Sequence, residues 1–140
     1  MAEKVEFDLV SPERLLVSQA VDMVVVPGSE GDFGVLPRHA PMIATVRPGV
    51  IDMHENGAVA ESIFVAGGFA EVTGERVTVL AEEAMAVGDI TKEMAEARLK
   101  QAKEAFEEAD SDQARAQAES RIAVAEAMLA VWKQLHPTGH

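Results

Sequence analysis

The residues with the most chemical promise lie in one short stretch, Gly28-Ser29-Glu30-Gly31-Asp32-Phe33-Gly34. Glycines at this density let backbone amides close around an anion, as they do in loops that cradle phosphates. The detail argues against that chemistry. The spacing is GxxGxxG, no Lys-Ser/Thr pair follows, and Glu30 and Asp32 repel a phosphate rather than attract it. No helix start follows to add its dipole. The stretch reads instead as a turn-rich surface loop with acidic tips, the kind of segment that a rigid scaffold holds out for contact.

Other reactive types are scattered. His39 sits in the turn Arg38-His39-Ala40-Pro41 with no second His or carboxylate at ligand spacing. His54 falls near a hairpin tip, and His136 and His140 fall in a terminal tail, where solvation is the simplest expectation. The serines lack a G-x-S-x-G setting, and the pairs Glu82-Glu83 and Glu107-Glu108 read as ordinary surface. Cysteine is absent, which excludes disulfides, thiolate metal sites and Cys nucleophiles. The residues suggest neither a catalytic set nor a metal or cofactor site, so an enzyme is not expected.

With 24 acidic against 12 basic residues, the net charge is −12. A surface that tracks phosphates needs clustered Lys and Arg, so nucleic acid is not an expected partner, and adsorption to anionic lipid is disfavoured for the same reason. The start, MAEKVEFDLV, has no basic segment followed by an apolar one, so no signal peptide is expected. Apolar runs such as residues 23–27 are too short to span a bilayer, so direct membrane insertion is not expected either.

Two periodicities divide the elements that must position these residues. Up to about residue 87 the pattern is that of strands. Residues 50–53 and 62–66 flank Asn56-Gly57, a hairpin signal, and residues 71–72 and 76–80 flank the reversal Thr73-Gly74-Glu75. Pro12, Pro27, Pro37, Pro41 and Pro48 leave no room for a long helix. Short strands with regular turns predict a sandwich or barrel with Phe7, Leu9, Val25, Ile51, Phe64 and Val79 in its core.

From residue 88 the composition turns to Ala, Glu, Lys and Gln, all strong helix formers. Asp89 or Thr91 is placed to cap a first helix whose apolar stripe is Ala95, Leu99, Ala102 and Phe106. A polar break at Ala109-Asp110-Ser111-Asp112 precedes a second stripe of Ala118, Ile122, Ala125, Leu129 and Trp132. The pair predicts an antiparallel helical hairpin. The division is therefore a β-sandwich over 1–87 and a two-helix hairpin over 88–140. On these grounds alone a free-standing β-sandwich binding module with a helical tail stays open.

The order of the segments resembles that of the epsilon subunits of bacterial F-type ATP synthases, counterparts of the mitochondrial delta subunit. Phe7-Asp8-Leu9-Val10-Ser11-Pro12 is similar to the opening strand of that family, and GSEGDFGVLPRHAP over 28–41 is its most specific motif. Arg47-Pro48-Gly49-Val50-Ile51, Ala66-Gly67-Gly68-Phe69-Ala70-Glu71-Val72 and Val77-Thr78-Val79-Leu80-Ala81-Glu82-Glu83-Ala84 follow in the family order. The resemblance implies a β-sandwich plus helical hairpin in the central stalk of the rotor, bound to gamma and seated on the c ring at the cytoplasmic face of the bacterial inner membrane. It assigns Glu30, Gly31, Asp32 and Phe33 to the c-ring contact, and His39 and Pro41 to the contact with gamma and the c ring. It also implies a regulatory arm in the helices that reaches the alpha and beta subunits.

Two departures bear on that arm. Some family members bind ATP through Ile-Asp-x-x-Arg-Ala at the start of the helical part. Here the stretch is Ile90-Thr91-Lys92-Glu93-Met94-Ala95, without the Asp and the Arg. Between Ala114 and His136 the only basic side chains are Arg115, Arg121 and Lys133, few for gripping acidic segments of catalytic subunits. Losing a buried, charged hydrogen-bonding pair costs on the order of 2–5 kcal/mol. Titration calorimetry with ATP is therefore expected to detect no micromolar binding to this chain.

Overall fold

The computed structural model describes residues 3–138. Eight strands come first: β1 (Val5–Val10), β2 (Leu15–Val21), β3 (Met23–Gly28), β4 (Gly31–Val35), β5 (Met42–Glu55), β6 (Ala58–Val72), β7 (Arg76–Ala81) and β8 (Ala84–Ala86). A single 3-10 turn, Val87–Asp89, leads into α1 (Lys92–Glu108) and α2 (Asp112–Leu135). The chain divides into two compact units, Met1–Ala86 and Val87–His140.

In the β unit the strands pair in the order β2-β1-β7-β6-β5-β3-β4, with β8 also on β6. All pairs are antiparallel except β1 with β7. The two long strands explain how one path of pairing makes a sandwich. On β6 the inward residues are Ile63 and Val65 in the first half but Ala70 and Val72 in the second. On β5 they are Val46 and then Ile51 and Met53. The inward phase thus changes from odd to even in β6 and from even to odd in β5.

Both changes fall where Val46 pairs with Gly68 and Pro48 with Ala66. Side chains alternate strictly along a regular strand, so a phase change requires a bend or bulge. The bend carries each strand from one sheet to the facing one. The second half of β6 pairs with β7, and its first half pairs with β8.

Gly68 makes this corner possible. A Cβ there would lie 1.9 Å from the Leu80 carbonyl oxygen, and its φ of +147° disfavours any side chain. The Asn56-Gly57 reversal also forms as expected, with φ of 54° and 79° at its two central residues. Those positive values are the signature of the turn whose twist matches a hairpin.

Phe7, Leu9, Ile51 and Val79 all lie in the core cluster, with Val5, Val21, Val24, Val26, Val35 and Val77 among their neighbours. Phe64 is fully buried but outside that cluster. Val25 is a correction: it is only half-buried, and Val24 and Val26 take the core positions. The alternation that ends with buried Val21 does not continue through Asp22, because the chain bends there between β2 and β3.

Asp22 secures that bend. Its backbone N–H donates to the His54 carbonyl at 3.0 Å, and its carboxylate accepts from the Asn56 N–H at 2.8 Å. Lys4 reaches the same place, 2.6 Å from Glu55 and 3.4 Å from Asp22. The first strand is thereby tied to the β5–β6 hairpin tip.

The Asn56 N–H, aided by Lys4, holds the Asp22 carboxyl below its ordinary value of 3.8, despite an opposing contribution from desolvation. The Glu55 hydrogen bond, with the nearby charges, raises Lys4 above 10.5. Stability from Asp22 is therefore complete above 3.8 and lost as pH falls through its lowered value. Stability from Lys4 is complete below 10.5 and lost as pH rises through its raised value. Asp22→Asn is expected to lower the urea midpoint at neutral pH and to flatten the loss of stability toward acid, as urea titrations at a series of pH values can measure.

In the helical unit Thr91 caps α1, its hydroxyl accepting from the Met94 N–H at 3.1 Å, and Ser111 caps α2 by accepting from the Ala114 N–H at 3.0 Å. The helices pack against each other, and Ala95, Ala102, Ala118, Ala125 and Met128 are buried. Ala102 and Ala118 each lie eight residues from Asp110, and Ala95 and Ala125 each lie fifteen from it, so each pair is level across the hairpin. Leu99, Ile122, Leu129 and Trp132 are half-buried, and Phe106 is exposed. Burying Ala in place of Leu gives up about 2 kcal/mol per position. The seam is close but thin.

Candidate functional site: an acidic hairpin and an apolar row

Glu30 and Asp32 lie on a hairpin rather than an irregular loop. β3 and β4 pair from Val24 with Val35 down to Gly28 with Gly31, leaving Ser29 and Glu30 as the two-residue tip. The glycine at 28 is required by close approach, since a Cβ there would meet the Gly31 carbonyl oxygen at 2.7 Å and the Phe33 ring at 2.9 Å. Phe33 is half-buried and packs against the core, anchoring the hairpin from beneath.

The two acidic residues prove unequal. Asp32 accepts from Arg47 Nη2 at 2.6 Å, while Nη1 of the same guanidinium donates to the Gly28 carbonyl at 2.6 Å. The Ser29 N–H donates to the Thr45 carbonyl at 2.9 Å. Asp32 thus serves to brace the hairpin. Glu30 is exposed and makes no hydrogen bond or ion pair among the described residues. A groove of about 530 Å³ runs beside the tip, lined by residues 28–33 and 42–45. Arg47 was not anticipated as part of this arrangement, because fifteen residues separate it from Asp32.

His39 and Pro41 fall in the connection between β4 and β5. His39 is half-buried, with Nδ1 2.7 Å from the Ala40 carbonyl, which places its proton on Nδ1. Arg38 has a φ of 68°, and its N–H donates to the Gly74 carbonyl at 2.8 Å, pinning this connection to the β6–β7 reversal. The structure thus holds His39 and Pro41 on a separate segment from the hairpin tip.

A second surface escaped the sequence reading. On the outward face Leu15 pairs with Val10, Val10 with Leu80, Leu80 with Phe69, and Phe69 with Thr45. Ile43 stands two residues from Thr45 on the same face of β5 and is 76% exposed, with Phe69 at 58%. One nearly continuous apolar row therefore crosses five strands, broken by Thr45, and rows of this kind are frequent at interaction sites. Its members come from five separate segments, so no local sequence signal reveals it.

In the helical unit, Ile90 and Ala95 are buried, Met94 is half-buried, and the Thr91 hydroxyl is engaged in its cap. His136 is not simply solvated. It is half-buried, and its ring stacks on that of Trp132 with centroids 4.3 Å apart. His140 lies outside the described residues. Among the described residues no group of three or more His, Cys, Asp or Glu side chains is placed to hold a metal ion. No helix among them is long and apolar enough to cross a membrane.

This arrangement defines a class: a β-sandwich with an exposed acidic hairpin and an exposed apolar row, followed by a separate helical hairpin. The family model described as ATP synthase, Delta/Epsilon chain, beta-sandwich domain matches residues 4–87. A protein named ATP synthase epsilon chain from Paramagnetospirillum magneticum is 67% identical over 130 residues, covering 93% of this chain and 98% of its own. The ATP synthase epsilon chain of Rhodospirillum rubrum is 56% identical over 133 residues, covering 95% and 99%. The chain belongs to the ATP synthase delta/epsilon family.

Among solved structures, a chain in the Euglena gracilis mitochondrial ATP synthase, imaged as OSCP, F1 and c-ring in rotational state 1, aligns with a TM-score of 0.76 at 22% identity. The alignment covers 92% of this chain and 81% of that one. A chain from the central stalk and c-ring of the Tetrahymena thermophila mitochondrial enzyme aligns at 0.67 and 12% identity, covering 91% and 96%. At these identities the likeness concerns the fold.

Arg47→Met tests the bracing of the hairpin. The Ser29 amide is expected to exchange with solvent about tenfold faster, as expected from the loss of roughly one charge-assisted hydrogen bond, while the core amides of β1 and β7 keep their rates.

Proposed function

We propose that this chain is a non-catalytic central-stalk subunit of a bacterial F-type ATP synthase, joining gamma to the c ring so that rotation and catalysis stay coupled. One observation carries the reading: a single β unit presents two exposed surfaces of different chemistry, the braced hairpin tip at Glu30 and the apolar row through Ile43, Phe69 and Leu80, which meet at Ile43. Obligate interfaces are more apolar than transient ones, and in this reading the row is the face turned to gamma. A polar tip on a rigid hairpin suits the polar loops of the c ring, with Glu30 as the direct contact and Asp32, Gly31 and Phe33 shaping the tip. His39 and Pro41, on the β4–β5 connection, serve the contact with gamma and the c ring in this reading. The names of the close relatives support this reading, and in it the chain is peripheral, at the cytoplasmic face of the inner membrane.

The helical hairpin is the arm through which alpha and beta would be reached. With only Arg115, Arg121 and Lys133 as basic side chains on α2, its inhibition of hydrolysis is weak in this reading, and nucleotide plays no part in holding it.

The test uses the assembled enzyme. A Cys at Glu30 is expected to crosslink to a Cys in the c-subunit loop, and Phe69→Asp is expected to reduce co-purification with gamma at least tenfold, while circular dichroism stays unchanged. Failure of both, with the variants folded, would remove the proposed role.

A further inference from the structure

The helical hairpin has a closed end, where Ala109 to Ser111 link the helices, and an open end, where α1 begins and α2 stops. An antiparallel pair held by a thin Ala seam frays most easily at its open end. Three side chains meet there. The Lys92 ammonium lies over the Trp132 ring, 5.7 Å from its centroid, and the His136 ring stacks on the same indole at an interplanar angle of 14°.

His136 is also the residue that caps α2. Its backbone N–H donates to the Lys133 carbonyl at 3.2 Å, and its Nδ1 lies 2.9 Å from the Trp132 carbonyl, so one residue satisfies two carbonyls of the last turn. The position of Lys92 is unusual for a cation, because the first turn of a helix carries the positive end of its dipole. Across the hairpin, however, that turn faces the end of α2, whose carbonyls and indole face both favour positive charge.

We propose that Lys92, Trp132 and His136 form a clasp that closes the open end of the helical hairpin and controls where its two helices begin to part. Trp132 is the shared platform: Lys92 joins α1 to it, and His136 holds its ring and its carbonyl from the α2 side. While the clasp is closed, the Ala seam is protected at both ends, by the link at one and the indole at the other. Release of Lys92 exposes one face of the indole and leaves the seam to open progressively toward Ser111.

Hydrogen exchange on the full-length chain, read at the amides of residues 129–135, tests this. Lys92→Met keeps the apolar stem and removes the charge, and is expected to speed exchange there about two- to fivefold, the factor a cation–π contact at a partly exposed site supplies. Amides beside Ser111 should keep their rates. His136→Ala is expected to act in the same direction, and Lys92→Arg to retain the original rates. Unchanged exchange at 129–135 in both Lys92→Met and His136→Ala overturns the clasp. Equal acceleration at both ends of the hairpin overturns it too, because that pattern reports general loss of helix stability.

Discussion

The β unit depends on one close approach, where the backbone of Gly68 lies against the carbonyl of Leu80 with no room for a side chain between them. At that point β6 leaves one sheet and enters the other, and β5 bends beside it next to Pro48. Without the bend, the inward phase set by Ile63 and Val65 would carry on past Gly67, and Ala70 and Val72 would face solvent. The core would then lose half of one wall. Phe69 occupies the opposite phase to Ala70, so the same bend that buries Ala70 turns Phe69 outward to meet Leu80. Core and contact surface are two outcomes of a single backbone constraint.

The acidic hairpin shows how a scaffold converts a flexible composition into a fixed shape. A run of glycines costs conformational entropy to order, and here the order comes from outside the run. Arg47 spans the Gly28 carbonyl and Asp32, Thr45 receives the Ser29 N–H, and Phe33 sits on the core. Exposed ion pairs contribute little in isolation. This one matters through geometry, since it fixes the backbone on which Glu30 stands. In the proposed rotor role a stiff tip is useful, because torque passed through a compliant contact would be dissipated as local motion.

The helical unit is built on the opposite principle. Its buried seam is mostly alanine, which permits close packing of the helices but supplies little apolar area. The polar groups at its termini therefore carry a large share of its definition: Thr91 and Ser111 at the two helix starts, and His136 at the end of α2. The helical unit is thus defined largely by its caps, whereas the β unit is defined by a core of valine, phenylalanine and leucine.

The sequence by itself determined the elements that local chemistry controls. The Asn56-Gly57 turn, the change from strands to helices near residue 88 and the alanine positions of the two stripes were legible because each follows from propensity or periodicity within a few residues, whereas exposed Phe106 and buried Met128 depart from those stripes. The order of short motifs also sufficed to indicate the family. Tertiary structure decided what depends on distant partners. Val25 lost its core place to Val24 and Val26 because the bend at Asp22, held by His54 and Asn56, reset the phase of β3. Asp32 became a brace because Arg47 reaches it across the sheet. His136 found a partner in Trp132, which only the completed helix could present. The apolar row emerged last, since pairing of five strands was needed to bring Leu15, Val10, Leu80, Phe69 and Ile43 onto one face. Period and composition describe a strand or helix in isolation, whereas a surface exists only after register has been chosen, and register is a property of the whole sheet.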